Sequence, residues 1–330
     1  MIKHVFIGTS TPMLYYINYL IYKKKISGNI IIVEKNKNKI GGSWNYLSNS
    51  YCNKLDSGIH FITIKNNYDK IIKGFNNFGI ELCKFDNCNL KIEYDNYKKF
   101  LDKGLLFAKD GWANITYKLY SNLLKNKNII FLFKKIEKIN INSKFVELYY
   151  DEKCIKAKKV YIPTHISNNE IYIKNKKIIL KNDNNKVTPI KTTHLILYLK
   201  TTHIKYSENF HSIYDDIYLF DRVMFVTDNI INDQVNLICI LRISRSYKNK
   251  VLNIPNIDKE ALYFLYFKKL INNSIVIDKE ITQYIYNFRF KSFIENKNNI
   301  KQHLQENNIS EENIELLDTR DFGPLVELYN

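Results

Sequence analysis

The chain has 330 residues, 45% of them hydrophobic, and carries a formal net charge of +17. This length accommodates one large or two ordinary domains, and the composition is typical of a folded globular protein. No apolar run approaches the roughly 20 residues that span a bilayer, and the N-terminus has no charged leader followed by an apolar core. We therefore expect no membrane span and no secretory signal.

The positive charge is carried almost entirely by lysine. Five of the 50 basic residues are arginine, the side chain whose planar fork grips phosphate bidentately. The lysines are interleaved with asparagine and isoleucine, and the codons of all three are rich in A and T. Base composition therefore accounts for much of the charge. We predict no specific nucleic-acid partner, and we infer an A/T-rich genome, such as that of a parasite, an endosymbiont or a large DNA virus.

The cysteines and histidines give no sign of a metal site. Neither zinc-ligand spacing nor a disulfide framework connects the five scattered cysteines, and the histidines on predicted strands are spaced irregularly. We therefore predict no metal. Unpaired cysteines are typical of a reducing compartment, so we expect an intracellular protein in the cytoplasm, which is the host cytoplasm if the source is viral.

The first sixty residues predict a strand, a tight turn, a helix and a second strand. Residues 3–7 form an apolar run that ends at Gly8, an apolar helix follows to Tyr22, and residues 29–33 form a strand closed by Glu34. A doubly wound α/β domain holds an adenosine with this arrangement. The turn's amides and the helix dipole face a pyrophosphate, while the carboxylate accepts hydrogen bonds from the ribose hydroxyls.

The pattern downstream predicts a discontinuous first domain. Apolar spacing predicts a strand at residues 56–62, a helix from Asp110, a broken strand at 129–139, a hairpin turning at 151–152, a strand at 160–163 and a last strand at 314–317 that returns to the first sheet. We therefore assign residues 1–165 and 284–330 to a dinucleotide-binding domain. Its fold class is α/β, with a Rossmann-like parallel sheet built from both chain ends.

Residues 166–283 are predicted to form an inserted, mostly β (α+β) domain that serves substrate binding or interaction. The expected elements are strands at 194–199, 216–220, 223–226 and 235–243, a helix at 258–271 and a strand at 284–293 that leads back to the first domain. This inserted part carries no recognisable signature, so the sequence leaves its substrate open.

Three segments together resemble the FAD-dependent amine oxidase superfamily, which includes protoporphyrinogen oxidases, phytoene desaturases and UDP-galactopyranose mutases. They are residues 1–63, 110–165 and 313–330, and they contain the nucleotide turn, the acid-capped strand and the glycine pair Gly41-Gly42. The resemblance implies FAD as the cofactor. The candidate cofactor-binding residues are Gly8, Ser10, Glu34, Gly41, Gly42, Gly58, Trp112, Ile136 and Gly323.

The resemblance also implies individual roles. Glu34 holds the adenosine ribose, the Gly41-Gly42 backbone passes close to the pyrophosphate, and Ile136 gives backbone contacts to the adenine. His60 and Arg320 are the candidate catalytic residues. His60 is expected to relay a proton beside the flavin, and Arg320 is expected to neutralise a phosphate or an anionic reduced flavin. Both also have plainer interpretations, as a buried histidine and as a surface ion pair.

Departures from the family pattern keep alternatives open. The turn lacks the second and third glycines of the usual fingerprint, so the Ser10 side chain stands where backbone should approach the pyrophosphate, and its hydroxyl becomes a substitute donor. We predict an FAD-dependent oxidoreductase acting on a small or lipophilic organic substrate. A degenerate, non-catalytic flavoprotein-fold protein with a binding or structural role is the second interpretation, and a class I methyltransferase is the third.

Overall fold

The computed structural model describes residues 1–56, 58–59, 62–63, 68–84, 90–93, 105–108, 111–163, 170–178, 190–206, 210–215, 217–247, 254–286 and 290–317. The chain divides into two compact units. The first unit comprises Met1–Gly42, Lys118–Pro189 and Asn287–Asn330, and the second comprises Ser43–Tyr117 and Ile190–Tyr286. The second unit thus includes residues 43–117, which the sequence pattern predicts to belong to the dinucleotide-binding domain. The functional assignment of each unit stays a prediction.

Strands dominate the described residues. In chain order, strands β1 to β20 are Ile2–Ile7, Ile30–Val33, Tyr46–Leu47, Leu55–Asp56, Ile62–Thr63, Leu82–Lys84, Leu90–Ile92, Leu105–Ala108, Ile129–Leu132, Lys138–Ile141, Val146–Tyr150, Lys153–Pro163, Glu170–Ile173, Lys176–Ile178, Ile190–His203, Phe210–Ile213, Phe220–Val226, Leu237–Ile243, Asn272–Tyr286 and Ile314–Leu317. Helices α1 to α5 are Thr11–Tyr22, Tyr68–Asn76, Trp112–Leu124, Ile257–Phe267 and Phe290–Glu306. None of the described helices is long and apolar enough to cross a membrane.

The first unit is built on a parallel sheet in the order β9-β2-β1-β12-β20. All four residues of β2 are isoleucine or valine and are buried, as expected for a parallel strand covered on both faces. The first half of β12 pairs antiparallel with β11, which continues the sheet through β10, β13 and β14. Because β20 joins β12, the prediction of a parallel sheet built from both chain ends is confirmed.

Helix α1 forms where it was predicted, its residues 11–20 are all buried, and the Tyr16 ring contacts that of Tyr161 in β12 edge-to-face. Ser10 is its N-cap, with the Ser10 hydroxyl accepting from the Met13 amide at 3.4 Å, and Pro12 lies in the first turn, where a missing N–H costs nothing. Tyr16 ties this helix to the last strand, since its hydroxyl donates to the Glu315 carboxylate at 2.5 Å. Lys159 pairs with the same carboxylate at 2.7 Å.

The second unit contains a six-stranded sheet in the order β19-β15-β18-β17-β16-β7. Its strands are antiparallel except for the β16–β7 pair. Alternate residues of β15 face opposite sides. Leu195 and Leu197 join the cluster that includes Phe264 and Leu265 of α4, while Ile196 and Tyr198 join a cluster with Ile59 on the other face. The expectation of a mostly β architecture in this region is confirmed.

Two strand predictions in the second half of the chain are wrong. The predicted strand at 284–293 ends early, because β19 stops at Tyr286 and helix α5 begins at Phe290. The predicted strand at 216–220 falls mostly on a turn, since residues 217–219 are not in a strand and β17 starts at Phe220. In both places, isolated apolar and aromatic residues mimicked a strand pattern that tertiary pairing does not use.

Candidate functional site

The nucleotide turn joins β1 to α1 at Gly8. This residue has φ +90°, a backbone conformation that favours glycine. Its amide donates to the Val33 carbonyl at 2.7 Å, which brings the turn to the end of β2. The sequence predicts that the turn lies next to the acid-capped end of β2. This backbone hydrogen bond places them together.

Glu34 lies directly beneath this turn and is bonded to it. The Thr9 amide and the Thr9 hydroxyl both donate to Glu34 Oε2, at 3.0 and 2.6 Å, and the Asn36 amide donates to Oε1 at 3.1 Å. The Glu34 side chain is largely buried, at 9% relative exposure. A buried carboxylate needs such donors to remain charged without a large desolvation cost. The sequence predicted the place of Glu34 but not its contact with Thr9.

The glycine pair is fastened to the same turn. The Gly41 amide donates to the Thr9 carbonyl at 2.8 Å, and the Thr11 amide donates to the Gly41 carbonyl at 3.2 Å. Gly41 and Gly42 have φ values of +97° and +65°. A Cβ atom on Gly42 would approach the Ser10 Cβ to 3.4 Å, so the pair passes close to the turn because it lacks side chains. The structure thus brings Gly8, Ser10, Glu34, Gly41 and Gly42 together.

The amides at the start of α1 are mostly used within the protein. The Thr9 and Thr11 amides bond Glu34 and Gly41 as described, Pro12 has none, and the Met13 amide bonds the Ser10 hydroxyl. In the part of the chain that the structure describes, the Ser10 amide donates to no protein atom. The Ser10 hydroxyl accepts a hydrogen bond from the Met13 amide, so its own hydrogen is still available to donate. Ser10 therefore offers two donors at the positive end of the helix dipole.

Ile136 lies between β9 and β10 in the first unit. Its side chain is buried in the hydrophobic core, and among the described residues its N–H and carbonyl bond no other protein group. One open backbone donor and one open backbone acceptor match the number of groups on the edge of an adenine, which presents one acceptor and one donor. The arrangement is compatible with the backbone role that the family resemblance implies for Ile136.

Gly58 and Trp112 belong to the second unit. Trp112 is buried and packs edge-to-face on Trp44, with ring centroids 4.5 Å apart. The Trp112 amide donates to Asp56 Oδ2 at 3.1 Å, and the Ala113 amide donates to Oδ1. Asp56 therefore caps helix α3 from a distant strand. The remaining predicted site residues, His60, Arg320 and Gly323, lie outside the described residues.

Asp56 is a residue that sequence reasoning missed as a cap. Burial raises the pKa of its carboxyl to about 6, and the two amide hydrogen bonds act in the opposite direction. No local sequence pattern predicts this role, because a helix is normally capped by the residue directly before it and Asp56 is far away along the chain. In the structure, a Cβ atom added to Gly111 would lie 3.2 Å from Asp56 Oδ2, so the absence of a side chain there gives the carboxylate room at the start of the helix.

A buried charged cluster occupies one face of the sheet in the second unit. A β-bulge lies between Phe220 and Arg222, and Arg222 is the cross-strand partner of Arg242. The extra residue of the bulge, Asp221, forms a bidentate ion pair with the Arg242 side chain, with Nε to Oδ1 at 2.6 Å. His194 is the cross-strand neighbour of Arg242. A bulge re-aims side chains in this way, and the single-sequence pattern gave no sign of it.

The strand order, the acid-capped second strand and the turn together are those of a Rossmann-like α/β domain. No protein-family model matches the sequence, and the search of curated proteins found no match. A putative protoporphyrinogen oxidase from Exiguobacterium is similar in structure, with TM-score 0.59, 10% identity, and coverage of 99% of this chain and 96% of the other. Cyclohexylamine oxidase from Brevibacterium oxydans has a TM-score of 0.58 and 10% identity, with coverage of 98% of this chain and 95% of the other.

A triple variant of putrescine oxidase is a third neighbour, with TM-score 0.58 and 7% identity over 98% of this chain and 96% of its own. At such identities the similarity establishes the fold. The fold is the one that these oxidases share, which confirms the predicted resemblance at the level of the fold. The comparisons favour neither the methyltransferase nor the non-enzymatic interpretation.

Proposed function

We propose that this protein is an FAD-dependent oxidoreductase of the amine oxidase type, acting on a small or lipophilic organic substrate. The observation that carries the proposal is the junction of the nucleotide turn, Glu34 and the Gly41-Gly42 pair, fastened by the hydrogen bonds given above. This junction lies at the carboxyl ends of β1 and β2, where open α/β sheets bind nucleotides. The oxidase neighbours add support from the fold.

The adenosine diphosphate half of FAD fits the residues present. Glu34 offers an acceptor to a ribose hydroxyl, and the Ile136 backbone offers a donor and an acceptor to adenine. Ser10 offers an amide and a hydroxyl to a phosphate oxygen, in place of the amides that a glycine-rich turn leaves open. Gly41 and Gly42 leave room for the pyrophosphate, since neither carries a side chain. These assignments support FAD as the cofactor.

The chemistry would come from the flavin, which accepts a hydride when bound. The protein's part is to hold the reacting groups in position and to manage protons and charge. We assign His60 to proton transfer and Arg320 to the stabilisation of negative charge on this basis. Gly58, Trp112 and Gly323 complete the proposed cofactor contacts. The second unit, with its large sheet, is proposed to select the substrate.

An intracellular location is part of the proposal. None of the described cysteines, Cys52, Cys83, Cys154 and Cys239, forms a disulfide, as is usual in a reducing compartment.

The experiment that tests the function is a flavin titration followed by a substrate screen. The purified protein is examined for the visible absorption of a bound flavin, and FAD is then added to full occupancy. Bleaching of the flavin bands under anaerobic conditions by primary amines or by reduced lipophilic compounds is the expected result. A chain that holds FAD but whose bands survive every reductant of these classes would contradict oxidoreductase activity.

A further inference from the structure

Thr9 uses both of its donors on one oxygen of Glu34. Its amide lies 3.0 Å and its hydroxyl 2.6 Å from Oε2, and the Thr9 side chain is fully buried. This double contact holds the carboxylate in one orientation before any nucleotide arrives. A preorganised group of this kind costs less to engage on binding.

Counting acceptor positions shows what is left for a ligand. An ionised carboxylate offers about four lone-pair sites, two on each oxygen. The two Thr9 donors fill those of Oε2, and the Asn36 amide fills one on Oε1 at 3.1 Å. Among the described residues these are the donors that Glu34 accepts. One acceptor position of the carboxylate therefore remains for a ligand, and it is on Oε1.

A ribose presents two neighbouring hydroxyls. A carboxylate whose two oxygens are both open can accept one hydrogen bond from each of them. We propose that Thr9 restricts Glu34 to a single ribose hydroxyl, bound through Oε1. This inference rests on the proposed adenosine site and adds which of the ribose hydroxyls that site can recognise. Thr9 is therefore a positioning residue that acts through Glu34, and the nucleotide is discriminated at one ribose position only.

The test compares three ligands by isothermal titration calorimetry on the unmodified protein: ADP, 2′-deoxy-ADP and 3′-deoxy-ADP. One deoxy analogue is expected to bind about 10- to 100-fold more weakly than ADP, the effect of losing one hydrogen bond to a charged group. The other is expected to stay within about twofold of ADP. Equal weakening of both analogues, equal retention of both, or no binding of ADP would overturn the inference.

Variants of Thr9 separate specificity from a purely structural role. Thr9→Val removes the hydroxyl and opens a position on Oε2, so both deoxy analogues should now bind more weakly than ADP. Thr9→Ser restores the hydroxyl and should restore the single-position pattern. Thr11→Val is the matched control, because the Thr11 hydroxyl bonds the Gly41 carbonyl at 3.3 Å and not Glu34. An unchanged pattern in Thr9→Val would overturn the inference, and if that variant does not fold, the comparison in the unmodified protein decides.

The outcomes also distinguish this inference from the proposed function. Single-position discrimination among the ADP analogues in a chain that shows no flavin chemistry would support the role of Thr9 and count against the oxidoreductase. A chain that oxidises substrates through FAD while reading both ribose hydroxyls would support the enzyme and overturn the role of Thr9.

Discussion

Removal of the Glu34 carboxylate should destabilise the first unit even without a nucleotide. Glu34→Ala leaves the buried Thr9 amide and hydroxyl without an acceptor, whereas the more exposed Asn36 amide gains water. An unpaired buried donor costs about 1–3 kcal/mol. The two Thr9 donors therefore predict a loss of about 2–6 kcal/mol in the free energy of unfolding.

Thermal unfolding followed by circular dichroism measures this loss. In a domain of about 150–250 residues, 1 kcal/mol shifts the Tm by about 2–4 °C, so a decrease of at least about 4 °C is expected. Glu137→Ala is the matched control, since Glu137 is exposed and its carboxylate bonds none of the described residues. Its Tm should stay within about 1–2 °C of the unmodified protein. A Glu34→Ala shift as small as that of the control would refute the reasoning.

Two further predictions concern the second unit. Burial raises the pKa of Asp56 to about 6, above its unfolded value of 3.8, so this group's contribution to stability is present below about pH 4 and is lost as the pH rises through 6. One pKa unit corresponds to about 1.4 kcal/mol, so between about pH 4 and pH 7 the free energy of unfolding of the unmodified protein should fall by up to about 3 kcal/mol more than that of Asp56→Asn. Urea unfolding at each pH measures both values. Parallel pH profiles of the two proteins would contradict the idea that Asp56 is charged and buried above pH 6. Arg242→Met should cost about 3–5 kcal/mol, because it removes the bidentate partner of the buried Asp221 carboxylate. Adding Asp221→Leu should recover part of this loss in a double-mutant cycle, and additive losses would show that the two charges are not coupled.

The first unit was predictable because its signals are local. The apolar run of β2, the glycine turn and the Ser10–Pro12 start of α1 each lie within a few residues of the element they specify. The return of Ile314–Leu317 to the sheet is a distant pairing, which the last apolar run and the family resemblance both indicated. The break between β19 and α5 was not predictable, because residues near 284–293 have apolar spacing compatible with either state.

The candidate site was predictable by position but not by bonding. The sequence placed Gly8, Glu34 and the glycine pair at one end of the sheet, but the carboxylate's partner, Thr9, is 25 residues away along the chain. The same limit applies to Asp56, whose capping partners begin at Trp112. Single-sequence reasoning identifies residue types suited to a task, whereas hydrogen bonds across elements depend on the register that packing sets.

The visible absorption spectrum of the purified protein, before and after titration with FAD, tests the central claim most directly. Bands of a bound flavin, with occupancy near one per chain, are the predicted result. Glu34→Ala should weaken that binding by about 1–3 kcal/mol, the effect of a lost polar contact. A colourless protein whose addition leaves the spectrum of free FAD unchanged would contradict the assignment of this fold to flavin binding.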